Sequence, residues 1–357
     1  MPNAAPPPAS EVACVRLAGL RYVSDGQPGI SRRRRGPGFR YVRSDGTALR
    51  DDAELQRIRR LAIPPAYTDV WICASPDGHL QATGRDARGR KQYRYHPAWV
   101  QRRNEDKFAR ILAFGAALPG LRRQVRRHLA MPGLPREKVL ALVVAVMGKT
   151  YARIGNAAYA RDNHSYGLTT LCNRHLDLAG NERARICFVG KSGQPQTLQI
   201  DDRRLVALIR RCHDLPGKLL FQYRDGEGAV RPVGSGDVND YLRQLTGSEF
   251  SAKDFRTWGA TLTAMIELAR LPAPEDESER ALAALQNQVI ASVALLLGNT
   301  PAVCRKSYID PCVFRAWREG RLEPLRMARG VRQYEVAALK VLRGCRTKAT
   351  APPRRHR

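Results

Sequence analysis

Arginine, lysine, asparagine and tyrosine stand in a series of short blocks in the second half of this 357-residue chain. The blocks are Arg153-Ile154-Gly155-Asn156, Phe188-Val189-Gly190-Lys191, Lys253-Asp254-Phe255-Arg256-Thr257-Trp258-Gly259, Gly298-Asn299-Thr300-Pro301 and Ser307-Tyr308. Arginine holds phosphate oxygens bidentately, lysine can surrender a proton, and a tyrosine hydroxyl can act as a nucleophile. These residue types therefore indicate chemistry on a phosphate, with protein cations neutralising the charge that develops.

Other routes to phosphate chemistry have no matching pattern. The sequence has neither the cluster of Asp and Glu that holds two Mg²⁺ ions nor a Walker A loop for ATP. Its eight cysteines are scattered without a C-x-x-C motif, and Asp201-Asp202 suits a helix N-terminus better than a metal pair. We expect no metal and no cofactor.

The charge of the chain indicates a polyanionic partner. It has 61 Lys and Arg against 33 Asp and Glu, a net charge of +28, and 43% hydrophobic residues. Such a composition predicts a folded protein, and the basic excess favours nucleic acid over an anionic membrane surface. We find no window apolar enough to cross a bilayer and no signal peptide at Met1 to Ser10, which predicts an intracellular protein without membrane contact.

The first third of the sequence reads as strands and turns. A short helix is predicted over Asp51 to Arg60 and a hairpin over Val70 to Ala74 and His79 to Thr83. Arg32 to Arg35 are predicted to lie in a solvated loop.

One N-terminal strand alternates basic residues with aromatic residues and an amide. Such a strand can present cations to phosphates and polar groups to base edges. We therefore predict DNA contacts from Arg90, Lys91, Gln92, Tyr93 and Tyr95.

From about Glu105 the pattern is helical. Helices are predicted over Phe108 to Leu118, Leu121 to Leu129, Arg136 to Thr150, Arg203 to His213, Val238 to Thr246, Trp258 to Arg270 and Ser278 to Leu297. A β hairpin between them carries Lys191 at its tip. The prediction is an α+β fold with disordered ends at 1–18 and 336–357, a small β-rich domain at 19–104 and a mainly α-helical domain at 105–335.

In order and spacing, the blocks resemble the catalytic blocks of type IB DNA topoisomerases of the small poxvirus and bacterial type. Ile63-Pro64-Pro65 to Trp71, and Gly89 to Tyr93, are similar to the DNA-clamping domain of that family. The resemblance covers about residues 19–318 and implies a monomer that closes as a C-shaped clamp on supercoiled duplex DNA in the bacterial cytoplasm.

The resemblance also implies a role for each site residue. Tyr308 would attack the phosphodiester and form a 3′-phosphotyrosine, Arg153 and Arg256 would hold the non-bridging oxygens, and Lys191 would protonate the leaving 5′ oxygen. Asn299, where better-known members carry His, would donate a hydrogen bond but could not pass a proton. Lys253, three residues before Arg256, is a further candidate phosphate contact near the site.

Two alternative functions remain open from the sequence. A tyrosine recombinase or integrase would use the same covalent chemistry, although the β-rich N-terminal third favours the topoisomerase. A non-enzymatic basic chromatin protein would need none of the catalytic residues.

Overall fold

Short antiparallel strands dominate the chain before residue 96 in the computed structural model, which describes residues 9–180, 182–271 and 278–349. The first elements are helices α1 (Ala9–Leu17) and α2 (Asp52–Arg60) and strands β1 (Ile30–Arg35), β2 (Gly38–Val42), β3 (Thr68–Ile72), β4 (Leu80–Arg85) and β5 (Lys91–Tyr95). The strands form one sheet in the order β2-β1-β3-β4-β5. Helix α2 covers one face, where Ile58 packs with Ile30 and Ile72.

The predicted hairpin is confirmed, since β3 pairs antiparallel with β4. The predicted loop at Arg32 to Arg35 is wrong, because these residues form β1 and pair in register with β2. A run of like charges is typical of a solvated segment, whereas here the arginines form a strand through pairing with β2.

Helix α3 (Pro97–Leu129) follows β5 after a single residue, His96. The sequence predicts two helices here, separated near Pro119, and the structure has one helix that contains this proline. Phe114 and Leu118 before the proline and Leu121 and Val125 after it enter the same core. This packing offsets the cost of about 3 kcal/mol that a proline inside a helix carries.

The chain divides into two units inside α3, one up to Lys107 and the other from Phe108. The predicted boundary at 104/105 lies three residues before this division. The second unit contains helices α4 (Arg136–Thr150), α5 (Ala157–Asn163), α6 (Arg203–His213), α7 (Ser235–Thr246), α8 (Ala252–Arg270), α9 (Glu279–Leu297), α10 (Pro301–Ser307), α11 (Cys312–Arg318), α12 (Glu323–Arg326) and α13 (Val331–Ala349). Its strands are β6 (Leu176–Ala179), β7 (Arg183–Val189), β8 (Pro195–Ile200), β9 (Gln222–Arg224) and β10 (Val230–Pro232).

Helix α4 lies at the centre of the second unit. All its residues from Lys138 to Met147 except Ala145 are buried, and it packs against α6, α7, α8, β8 and β9. Its predicted bounds are confirmed. Because α4 is fixed on all sides, the residues that follow its last turn have a defined position.

Both predicted disordered ends need correction. Residues 9–17 form α1, where Val15 is buried with Leu20 and Trp99, and α13 extends to residue 349 because Ala338, Leu342 and other apolar residues enter the core. Residues 1–8 and 350–357, which belong to the same predictions, lie outside the described residues.

The expectation that no segment is apolar enough to cross a membrane is also corrected. Helix α9 meets that criterion by length and composition, with a mean hydropathy of 1.4. A third of its apolar window is buried within the protein, including Val289, Val293 and Leu297.

Candidate active site

The end of α9 and the short helix α10 position two of the predicted residues. Gly298 ends α9 in the left-handed conformation with φ 58°, and the Thr300 side chain caps α10 by accepting a hydrogen bond from the Val303 amide at 3.4 Å. Glycine suits the position after a helix and threonine the cap before one, and both residues take those positions here. Asn299 therefore lies just before α10 and Tyr308 just after it.

Arg153 reaches the same place from the end of α4. Tyr151 ends that helix in the left-handed conformation, φ 53°, and two residues later the Arg153 guanidinium donates to the Gly298 carbonyl at 3.4 Å and to Asn299 Oδ1. Behind it Gly155 lies against Gly167, where a Cβ on Gly155 would come within 3.1 Å of backbone atoms. A side chain at position 155 would not fit, so glycine allows this close backbone approach just after Arg153 and Ile154.

Arg256 lies in the first turns of α8, and its buried guanidinium joins two helix ends. It donates to the carbonyls of Tyr151, after α4, and of Leu297, at 2.9 Å, the last residue of α9. Helix α8 begins six residues earlier than predicted, because Ser251 and Asp254 form a capping box in which the Ser251 amide donates to Asp254 Oδ2 at 2.8 Å. Because the helix is capped at Ser251, the whole block from Lys253 to Gly259 is helical.

Gly259, the last residue of that block, allows α8 to approach α4 closely. A Cβ at this position would lie 2.3 Å from the ring of Tyr151. The contact brings the Tyr151 carbonyl within reach of Arg256, one turn earlier on α8.

Tyr308 lies beside these arginines. The carbon at the centre of the Arg256 guanidinium is 5.1 Å from the centre of the Tyr308 ring. Burial alone would raise the pKa of the phenol, but the positive charges of Arg256, Arg153 and Lys253 bring the pKa below its usual value. These positive charges thus stabilise the phenolate relative to a tyrosine in solution.

Thr261 positions the backbone at Tyr308 and was not predicted from the sequence. Its buried hydroxyl donates to the Tyr308 carbonyl at 3.1 Å and accepts from the Asp310 amide at 3.2 Å. These bonds fix the backbone on both sides of Ile309, and hence the origin of the Tyr308 side chain. One threonine on an apolar helix gives no sequence signal.

Cys304, also missed, is a fully buried thiol on α10. Burial raises the pKa of this thiol, although the nearby charges of Arg256 and Arg153 oppose the shift. The thiol is therefore neutral at physiological pH and packs beneath the arginines.

The cluster has an excess of positive charge. Among the described residues, no Asp or Glu forms an ion pair with Arg153, Arg256, Lys191 or Lys253. Burial, and then the charge of Arg256, lowers the pKa of Arg153. Asn299 Nδ2 and Arg256 Nε are buried, with no hydrogen-bond partner in the described part of the chain. Cations and spare donors without an acceptor form a site for an anion.

Lys191 is exposed at the tip of the β7–β8 hairpin, as predicted. Its side chain forms no hydrogen bond with the other four predicted catalytic residues, Arg153, Arg256, Asn299 and Tyr308. The hairpin itself reaches the site. The Gln196 side chain on β8 packs so closely against Gly298 that a Cβ added to this glycine would lie 2.5 Å from it. Lys253 is exposed in the first turn of α8, where its charge acts on Tyr308.

The predicted DNA contacts lie in the first unit, four of them on β5 and Arg90 just before it. Tyr93 and Tyr95 are about half exposed, at 49% and 43%, and stack at 6.1 Å between ring centres. Arg90 and Gln92 both bind Asp86, at 2.8 and 2.9 Å, and their bonds bring the pKa of that carboxyl to about 2. Lys91 forms an ion pair of 2.5 Å with Asp25.

Within the described ranges, no three His, Cys, Asp or Glu side chains come together as a metal-binding group.

Comparison with known proteins matches both parts of the chain. Residues 96–314 match the family model of the eukaryotic DNA topoisomerase I catalytic core, and residues 38–86 match that of the bacterial DNA topoisomerase IB N-terminal domain. The first match contains all five predicted catalytic residues.

The relatives found are viral. DNA topoisomerase 1B of Acanthamoeba polyphaga mimivirus is 33% identical over 288 residues, which are 79% of this chain and 85% of that protein. DNA topoisomerase 1B of Vaccinia virus (strain Copenhagen) is 23% identical over 270 residues, 72% of this chain and 80% of that protein.

Proposed function

Since the chain belongs to the type IB DNA topoisomerase family, we propose that it relaxes supercoiled duplex DNA by nicking and resealing one strand through Tyr308. The observation that carries the proposal is the tyrosine beside two arginines that have no acidic partner among the described residues. A phosphodiester supplies the charge that this cluster lacks.

In the proposed cleavage step, Tyr308 first loses its phenolic proton to solvent, and the phenolate Oη attacks the scissile phosphorus. A P–O bond to tyrosine forms, the P–O bond to the 5′ oxygen breaks, and a 3′-phosphotyrosine and a 5′-hydroxyl result. Arg153 and Arg256 stabilise the non-bridging oxygens as negative charge grows in the transition state. The spare Nδ2 donor of Asn299 adds a hydrogen bond to one of these oxygens.

Lys191 is the proposed general acid. The 5′ oxygen needs a proton as it leaves, and an ammonium on an exposed hairpin tip can approach it once DNA is bound. Resealing reverses each step, with the 5′-hydroxyl as nucleophile and the Tyr308 phenolate as leaving group.

Exchange of one phosphate ester for another conserves the free energy of the bond. We therefore propose that neither ATP nor a metal ion takes part and that superhelical strain drives rotation of the free end. Supercoils of both signs relax by the same route.

The remaining parts of the proposal concern DNA binding. A monomer with domains at 19–104 and 105–335 closes around the duplex as a clamp, and Lys253, Arg90, Lys91, Gln92, Tyr93 and Tyr95 contact it. On binding, Lys91 must exchange Asp25, and Arg90 and Gln92 must exchange Asp86, for groups of the DNA. The N-terminal family is bacterial, and we propose a cytoplasmic, nucleoid-associated enzyme.

Relaxation of negatively supercoiled plasmid in EDTA, without ATP, tests the function directly. We expect full relaxation by the purified protein, and equal relaxation of positively supercoiled plasmid. Failure of folded protein to relax either substrate over a range of salt concentrations would refute the proposal. Strand exchange between two duplexes would instead favour a recombinase.

Replacement of Lys253 by glutamine tests the electrostatic activation of Tyr308. Lys253 is one of the charges that lower the pKa of the phenol, so its removal must raise that pKa toward the usual value. The rising limb of single-turnover cleavage against pH then moves to higher pH, measured with protein in saturating excess over DNA. Lys340→Gln, an exposed lysine on α13, is the matched control; an unchanged Lys253→Gln profile would contradict the assignment.

A further inference from the structure

The β1–β2 hairpin carries a group of arginines that the proposed function does not use. Arg33, Arg34, Arg35 and Arg40 are all exposed. Within the described residues, none of the four forms an ion pair or a side-chain hydrogen bond.

The strand register places like charges together. Arg33 lies directly opposite Arg40, while Arg34 and Arg35 lie opposite Phe39 and Gly38. Directly opposed side chains of an antiparallel pair have Cβ atoms about 5 Å apart, and like charges at such positions destabilise the pair. By strand alternation Arg35 shares a face with Arg33 and Arg40, so three guanidinium groups lie on one face of the hairpin.

Arg32, the first arginine of the run, has a different position. Its guanidinium donates to the carbonyls of Ile63, Pro64 and Tyr67, at 3.1, 3.0 and 2.7 Å, and its central carbon lies 4.2 Å from the centre of the Phe39 ring. Arg32 thus has a structural role that closes the hairpin onto the unit. The arginines beyond it have no such internal partners.

The opposite edge of the sheet provides a second contrast. Strands β2 and β5 are the two edge strands, four strand spacings or about 19 Å apart. Lys91 on β5 is paired with Asp25 and Arg90, just before β5, with Asp86, and Arg94 donates to the Ala62 carbonyl. The guanidinium groups of Arg33, Arg35 and Arg40 have no such partner among the described residues. A polyanion therefore meets less competition at the hairpin than at β5.

We propose that Arg33, Arg35 and Arg40 form a second phosphate-contacting surface of the N-terminal unit, which binds the backbone of duplex DNA. The inference rests on the proposed function for the identity of the polyanion. Phosphates seated between the arginines relieve their repulsion, and contacts of this kind add affinity without sequence preference. The matched bacterial N-terminal family begins at residue 38, so β1 belongs to neither family match.

The test is the salt dependence of duplex binding by the full chain carrying Tyr308→Phe, which prevents cleavage. Each lost phosphate contact lowers the slope of log K against log salt by about 0.9. We expect Arg33→Gln/Arg40→Gln to lower the slope by about 2 and to weaken binding in 0.1 M salt by about tenfold or more.

Arg59→Gln/Arg60→Gln is the matched control. Both arginines are exposed at the end of α2, on the other face of the sheet, without ion pairs among the described residues, so the change in net charge is the same. We expect the control to bind like the parent. An unchanged slope for the hairpin variant, or equal losses for both pairs, would overturn the inference.

The melting temperature of the free protein separates a binding defect from misfolding. Since the substitution removes a like-charge pair, we expect the hairpin variant to melt at the same temperature as the parent or higher. A lower melting temperature with an unchanged slope counts against the proposed surface. Absence of salt-sensitive binding by the parent itself would instead refute the DNA function, and the inference with it.

Discussion

Tyr308→Phe removes covalent attachment to DNA completely while duplex binding remains within about twofold of wild type. The substitution deletes a single oxygen, the proposed nucleophile, and keeps the ring that lies beside Arg256. The two arginines keep their bonds to the carbonyls of Tyr151, Leu297 and Gly298 and to the Asn299 side chain. Denaturing gels with an end-labelled duplex detect the adduct, and equilibrium binding measures affinity.

Tyr334→Phe provides the control for this experiment. Its hydroxyl accepts a hydrogen bond from Arg270 at 2.8 Å, away from the α9–α10 junction, so adduct formation should be unchanged. Any adduct formed by Tyr308→Phe would mean that another residue attacks the phosphate. A basic protein without catalytic activity would form no adduct with either variant or with wild type.

The residues of the site could be found from sequence because their blocks also encode local structure. Gly298, Thr300 and Pro301 are signals for the end of one helix and the start of the next, and the structure confirms them. Asn299 and Tyr308 are predicted as site residues from the family resemblance, and the punctuation only places them on either side of α10. The spacing of the blocks carries the family resemblance, and the family match over residues 96–314 confirms it.

The way in which the blocks meet could not be predicted. Arg256 joins the ends of α4 and α9 through two main-chain carbonyls, and a main-chain acceptor has no residue type. The left-handed conformation of Tyr151 is equally invisible, since tyrosine rarely adopts it. Thr261 acts through a turn 47 residues away in sequence.

Errors at the ends and in β1 have a common physical cause. Composition suggests solvation or disorder where Arg, Ala and Pro are frequent, but packing decides the outcome. Helix α13 is ordered because one of its faces, with Ala338 and Leu342, is buried in the core. Strand β1 is ordered because it pairs with β2. Local propensity is a weak guide when tertiary contacts contribute more.

Loss of either arginine slows single-turnover cleavage by about two to three orders of magnitude, with different effects on stability. An uncompensated transition-state charge costs about 3–4 kcal/mol, and this applies to Arg153→Ala and Arg256→Ala alike. Arg256 is 4% exposed and also satisfies the carbonyls of Tyr151 and Leu297. Its loss leaves buried acceptors unpaired, which costs about 1–3 kcal/mol of folding free energy for each.

The two variants therefore separate chemistry from scaffold. Arg153→Ala should lower the rate with a smaller change in melting temperature than Arg256→Ala, because Arg153 is only partly buried and donates to the Gly298 carbonyl at 3.4 Å and to the Asn299 side chain. Arg256→Ala should lower both the cleavage rate and the melting temperature. Arg256→Lys should keep the positive charge but not the bridge between the carbonyls of Tyr151 and Leu297. Arg305→Ala, which removes bonds to Asn287 and Gln286 on α9, controls for loss of a nearby arginine.

The double variant Arg153→Ala/Arg256→Ala tests whether the two arginines act on the same phosphate. If both guanidinium groups hold one phosphate, removing the second costs less than removing the first, because the transition state is already misplaced. Rate losses that multiply exactly would mean that the arginines act on separate groups. Near-normal cleavage by Arg153→Ala would exclude that residue from the transition state and leave Arg256, Lys191 and Asn299 to carry the charge.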